Sequence, residues 1–179
     1  DIPRPIIGYM GTINSTRLDG ELLYQIISQR PDYSFVFTGP EDDIFRRNRI
    51  HSLKNAYFTG QKKVDELPAY IAAYDVCINP QMVNEITDGN YPLKIDEYLA
   101  MGKPTVATST HTMRNIFAGH THLAINPEEW LAAIDRAVTE ADDKELAKQR
   151  IAFAETHSWG HSVKKIYDII DKFLKERTT

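Results

Sequence analysis

The chain has 179 residues, of which 42% are hydrophobic and 26% charged, the balance of a globular protein and not of a disordered one. The 21 Lys and Arg against 25 Asp and Glu leave a net charge of −4, which argues against a general nucleic-acid surface. A lone cysteine, Cys77, excludes an internal disulfide and a multi-cysteine zinc site.

Short apolar runs alternate with helical periods along the chain. Residues 5–10 form the first run, closed by Gly11. Leu18, Leu22, Leu23, Ile26 and Ile27 then recur on one helical face. Residues 33–37 are the next strand, ended by Thr38-Gly39-Pro40, and residues 56–59 a brief one closed by Gly60. Leu67, Tyr70, Ile71 and Tyr74 mark a second helix, with Asp65 as its expected cap. Residues 76–78 predict a buried strand that contains Cys77 and stops at Asn79-Pro80. A helix over 93–101 ends at Gly102, and strands follow at 104–108 and 123–125. The rest is helical. Asn126-Pro127 caps a helix carrying Trp130, Leu131, Ile134 and Val138, and two more helices are expected over 143–156 and 161–175. Val163, Ile166, Tyr167, Ile170 and Phe173 make the last apolar stripe, and Trp130 and Trp159 are expected to pack helices onto the sheet.

Six strands alternating with helices predict an α/β fold, a doubly wound parallel sheet with extra C-terminal helices, all in one domain over 1–179. Ligands of such sheets bind outside the carboxyl ends of the strands. That edge comprises residues 11–17, 38–40, 60–63, 79–93 and 108–114. No run reaches the roughly 20 apolar residues of a membrane span and no signal peptide opens the chain, which leads to a cytoplasmic expectation. The first residue is Asp1 and not Met, so the chain is expected to be part of something longer.

Two segments on that edge carry possible chemistry. In residues 8–17 a glycine loop stands between a strand and a helix, where backbone amides suit phosphate oxygens and Arg17 adds a cation. It has neither the dinucleotide fingerprint nor the P-loop pattern. In residues 88–104, Pro92 suits a helix start, the amides of Leu93 and Lys94 face the carboxyl edge, and Glu97 follows one turn after Lys94. A carboxylate there suits the paired hydroxyls of a ribose. Asp42-Asp43 is a weak divalent-ion candidate and reads better as a polar turn. His120, His122, His157 and His161 read as surface or structural residues; His111 lies on a loop at the ligand edge.

Residues 94–108 (KIDEYLAMGKPTVAT) resemble the most characteristic stretch of the group 1 glycosyltransferases, in the nucleotide-binding C-terminal half of their GT-B fold. Residues 7–11, 56–60 with 67–70, 75–80 and Ser158-Trp159 resemble further signatures in matching order. The resemblance runs from about residue 5 to residue 173 and implies a Rossmann-like donor domain of a retaining enzyme. It implies that Glu97 holds the donor ribose, that Leu93 and Lys94 meet the diphosphate beside Gly11 and Thr12, and that Gly60 and Gln61 meet the base. Arg17 and Lys94 would stabilise charge on the leaving diphosphate, with no metal or other cofactor required. Where the family carries Glu, seven residues, then Glu, this chain has Gly89 and Glu97, and Asp88 or Asn90 is left to approach the sugar hydroxyls. The implied partners are a nucleoside-diphosphate sugar and an N-terminal acceptor domain absent from this chain. Without that domain little or no activity is expected, and membrane association is expected, if at all, only through the longer protein. A sugar-nucleotide epimerase half and a non-catalytic nucleotide-binding or regulatory α/β module are the alternatives. A receiver-type module would want acidic residues where Gly11 and Asn79-Pro80 stand.

Overall fold

A computed structural model describes residues 1–176. All six expected strands are present: β1 (Ile6–Met10), β2 (Ser34–Thr38), β3 (Ala56–Gly60), β4 (Val76–Asn79), β5 (Thr105–Thr108) and β6 (His122–Ala124). They form one parallel sheet in the order β3-β2-β1-β4-β5-β6. The helices are α1 (Gly20–Ser28), α2 (Leu67–Ala73), α3 (Leu93–Ala100), α4 (Pro127–Thr139), α5 (Lys144–Glu155) and α6 (Trp159–Glu176). β1, β2, β4 and β5 are buried end to end, as strands covered on both faces must be.

Two cores result. On one face Ile7, Phe35, Phe37, Val76, Ile78 and Val106 pack against apolar residues of α1 and α4, including Leu23, Ile26, Trp130 and Ile134. On the other, Met10, Cys77 and Ala107 pack against α2, α3 and α5 through Ile71, Ile95, Leu99 and Ala154. Burial pushes the Cys77 thiol well up, consistent with an inert core residue. Gly8 makes room for the Tyr74 ring, which would lie 2.1 Å from a Cβ at that position.

The helix signals mostly act as sequence predicts. Asn126 accepts from the Glu129 amide at 2.9 Å ahead of Pro127, and Gly102, with φ +70°, ends α3 while the Lys103 amide bonds the Tyr98 carbonyl. Four readings need correction. Leu18 lies before α1, which is capped by Asp19. Asp65 does not cap α2: a 3-10 turn over Val64–Glu66 leads into that helix, and Glu66 bonds back to the Lys63 amide. The last helix begins at Trp159, not at residue 161. Trp159 belongs to neither core and is 83% exposed, and no described side chain of α6 is buried. Trp130, by contrast, is fully buried. No helix among the described residues is long and apolar enough to cross a membrane.

Sheet order places the site. The chain winds outward from β1 to β3, returns, and winds the other way from β4 to β6. The connections after β1 and β4 therefore diverge and open a crevice at the carboxyl edge between them.

Candidate functional site

A cavity of about 510 Å³ occupies that crevice, lined by Tyr9, Gly11, Thr12, Asn14, Arg17, Gln81, Asn90, Tyr91, Pro92, Leu93 and Lys94. Six of the nine site residues expected from sequence are thus brought together: Gly11, Thr12, Arg17, Asn90, Leu93 and Lys94. Glu97 lines an adjacent, apolar cleft of about 280 Å³ with Met10, Val64, Leu67 and Met101. Gly60 and Gln61 are exposed at the end of β3 and line neither space. The Gly60 carbonyl is occupied, accepting from the Gly39 amide at 3.0 Å.

Local bonding holds the cavity walls. Two residues at the end of β1 meet two residues one turn apart on α3. Tyr98 Oη accepts from the Met10 amide at 2.8 Å, and Lys94 Nζ donates to Tyr9 Oη at 2.7 Å. The i, i+4 spacing of Lys94 and Tyr98 puts both on the helix face that looks at β1. Burial pushes the Lys94 ammonium down to about 8; Glu97 works against this and Arg17 adds to it. Gly11 is favoured by its φ of +134°, and a Cβ there would lie 2.8 Å from Lys94 Nζ and push the lysine tip aside. Pro92 stands at the position before α3, leaving the amides of Leu93 and Lys94 in its first turn.

The loop carrying Arg17 is pinned from two sides. Asp42 accepts from the Ser15 amide and hydroxyl, each at 2.7 Å, and from the Phe45 amide at 2.6 Å. The Ser15 amide, then that of Phe45, holds its carboxyl below the usual range. Asp42 is therefore the polar brace of a turn. On the other side the Arg17 carbonyl accepts from the Met82 amide at 2.8 Å. Among the described residues no group of three or more His, Cys, Asp or Glu is placed to hold a metal ion.

Of the two residues proposed for the sugar side, only Asn90 reaches the cavity. Asp88 turns away to brace the next helical segment, accepting from the His111 amide at 2.7 Å through its side chain and from the Thr112 amide through its carbonyl. His111 does not line the cavity and pairs with Asn115. The four histidines expected to be surface or structural residues make local contacts outside the cavity. His157 bonds Asp96 at 2.9 Å, His122 bonds Glu140 at 3.0 Å, His120 stacks on Phe153 and His161 pairs with Ser158. Tyr91, in the cavity wall, donates to the same Asp96 at 2.6 Å.

Sequence reading missed Tyr9, Asn14, Gln81 and Tyr91 as lining residues. Asn14, Gln81 and Tyr91 lie within the expected edge segments, and only their orientation was hidden. Tyr9 reads as one more apolar strand residue, and its single signal is its place two positions before Gly11.

A family model described as "Glycosyl transferases group 1" matches residues 4–140. The chain belongs to the group 1 glycosyltransferases. TuaH of Bacillus subtilis (strain 168), named as a teichuronic acid biosynthesis glycosyltransferase, is 28% identical over 160 residues, covering 86% of this chain and 40% of TuaH. Among solved structures the fold matches a glycosyltransferase from Rickettsia africae, with TM-score 0.76 and 18% identity over 98% of this chain and 48% of that one. It also matches Anabaena HepE in complex with UDP, with TM-score 0.75 and 14% identity over 94% of this chain and 49% of that one. Sucrose-phosphate synthase of Thermosynechococcus elongatus gives TM-score 0.74 and 20% identity over 96% of this chain and 46% of that one. This group 1 glycosyltransferase chain thus spans half or less of each of these relatives, and its doubly wound sheet is the fold that the solved structures share with it.

Proposed function

We propose that this chain is the donor-binding half of a retaining glycosyltransferase and takes a nucleoside-diphosphate sugar. The observation that carries the reading is the juxtaposition of Arg17, Lys94 and the first-turn amides of α3 around one cavity at the topological switch point. Two cations and a helix N-terminus aimed at one space suit a diphosphate. Glu97, exposed and lining the apolar cleft, suits the ribose, and the part of that cleft lined by Met10, Val64 and Met101 suits a base. HepE was crystallised with UDP, which supports the same ligand class for a chain of the same fold.

In the transfer step the glycosidic bond to the diphosphate breaks and negative charge grows on the leaving oxygen. Lys94 and Arg17 would meet that charge already in place. Asn90, in the cavity lining, is the side chain best placed to touch the sugar. The acceptor site and the rest of the active site would come from a second domain. The apolar side chains that α6 exposes, among them Val163, Ile166, Tyr167 and Ile170, suit packing against that domain.

Calorimetry with UDP, UMP and uridine tests the reading. UDP should bind and should stabilise the protein to heat by about 2.7 kcal/mol at 100 times its dissociation constant. Glu97→Ala should weaken UDP and uridine alike, by about 1–3 kcal/mol, because the ribose is common to both. A folded protein that binds none of the three overturns the proposal, and loss confined to UDP removes Glu97 from the ribose. An epimerase half or a regulatory module is not favoured by the family match.

A further inference from the structure

Tyr9 is the one buried ring in the cavity lining. It is 2% exposed and stands at the last position but one of β1. Its Oη donates to the Thr12 carbonyl at 3.0 Å and accepts from Lys94 Nζ at 2.7 Å. Nζ also lies 4.1 Å from the centroid of the Tyr9 ring. A phenol has one proton. With that proton on Thr12, the oxygen's lone pairs face the ammonium, so the roles in this chain of bonds are fixed. One side chain thereby joins a cation on α3 to the backbone of the glycine loop across the cavity floor.

A free lysine has a long flexible stem, and ordering it around an anion costs affinity. Here the stem is ordered before any anion arrives. We propose that Tyr9 is a positioning residue, which holds the Lys94 ammonium beside the glycine loop for the anionic part of the ligand and so sets how firmly, and over what pH range, that anion binds. The ligand class rests on the reading given under Proposed function; the link between Tyr9 and Lys94 does not.

Lys94 faces Tyr9 from β1, Arg17 from the loop after β1, Tyr91 from the opposite wall and Glu97 from its own helix. Burial drives the Tyr9 phenol far above its ordinary range, so it stays neutral and holds the ammonium by hydrogen bond and ring face alone. An anion in the cavity favours the ammonium, which the free protein loses as pH rises past about 8. Binding then takes up a proton, and affinity for the anion falls by up to about tenfold per pH unit above that point. Removing Oη removes an acceptor from the charged form and moves this fall to lower pH.

Two measurements on this chain separate the parts. The first follows the ε-carbon resonance of Lys94 against pH in ligand-free protein, assigned by its loss in Lys94→Met. The midpoint is expected near 8 in wild type and lower in Tyr9→Phe, a variant that keeps the ring in the core. The second measures UDP, inorganic pyrophosphate and uridine by calorimetry from pH 6 to 9.5. Tyr9→Phe should lose roughly tenfold in affinity for UDP and pyrophosphate at pH 7, with uridine unchanged and the alkaline fall moved to lower pH. A midpoint that Tyr9→Phe leaves in place, or equal loss for uridine and UDP, overturns the proposal. In ligand-free wild type, a Lys94 ammonium resonance protected from exchange, with nuclear Overhauser contacts to the Tyr9 ring, tests the link without a variant, and its absence at pH 6 overturns the proposal. A midpoint that Tyr9→Phe lowers, in a protein that binds neither UDP nor pyrophosphate, supports the Tyr9–Lys94 link and counts against a diphosphate ligand.

Discussion

Lys94→Met is expected to weaken UDP binding by about 2–3 kcal/mol, roughly 30- to 150-fold, while uridine is nearly unaffected. The methionine fills the space of the stem and removes the charge together with its hydrogen bond to Tyr9. The same substitution should stabilise the ligand-free protein near neutral pH. Burial lowers the Lys94 pKa to about 8 in the folded state, so the unfolded chain holds that proton more firmly. Wild-type stability from this group therefore rises as pH climbs from about 8 towards the ordinary lysine value and is lowest below 8. The gain in Lys94→Met at pH 7 is on the order of 2 kcal/mol and should vanish above the ordinary lysine range. Denaturant unfolding at pH 7 and pH 10.5, beside calorimetry, checks both halves. A variant that loses stability and keeps UDP affinity would make Lys94 a packing residue.

Gly39→Ala carries the largest expected structural effect. Gly39 follows β2 with φ +148°, and a Cβ there would stand 2.0 Å from the Gly11 carbonyl oxygen. The obstacle is backbone, so no side-chain rotation relieves it. Strain and overpacking together should cost about 3–5 kcal/mol. Relief requires the glycine loop to move, and that loop is tied to the same strand end by the bond from the Gly11 amide to the Thr38 carbonyl at 2.9 Å. Loss of UDP binding should therefore accompany the drop in the unfolding midpoint. An unchanged midpoint would mean that the two loops separate without cost. Gly60→Ala is the control: φ is +70°, but nothing lies within 4 Å of its Cβ position, so only the conformational cost of about 1 kcal/mol remains.

The sheet was legible because its four central strands are buried on both faces. Residues 5–10, 33–37 and 76–78 read as mostly apolar runs, and the loops between them carry the turn residues. The carboxyl edge followed from strand alternation, and six of the site residues from two segments at that edge read together with the family resemblance. What stayed hidden was direction. Asp88 and Asn90 are two residues apart on one loop, and only tertiary bonding to the His111 amide turns one away while the other lines the cavity. Tyr9 was hidden because a strand residue with an aromatic ring is read by its ring, whereas its function rests on one oxygen at the tip. Trp159 misled for the opposite reason. Its bulk argues for burial, but burial needs a partner surface, and the helix that bears it buries no described side chain. Glu97 was placed on the correct helix, yet the turn that separates it from Lys94 also puts it in a neighbouring cleft.

The exposed C-terminal helix has an energetic corollary. Eighteen residues make a rod about 27 Å long. A helix of that length in water is only marginally stable, and burial of an apolar face is what usually tips the balance. With none of its described side chains buried, α6 draws little from the two cores. Its amides are therefore expected to exchange with solvent ahead of those of the central strands, which a hydrogen-exchange measurement checks.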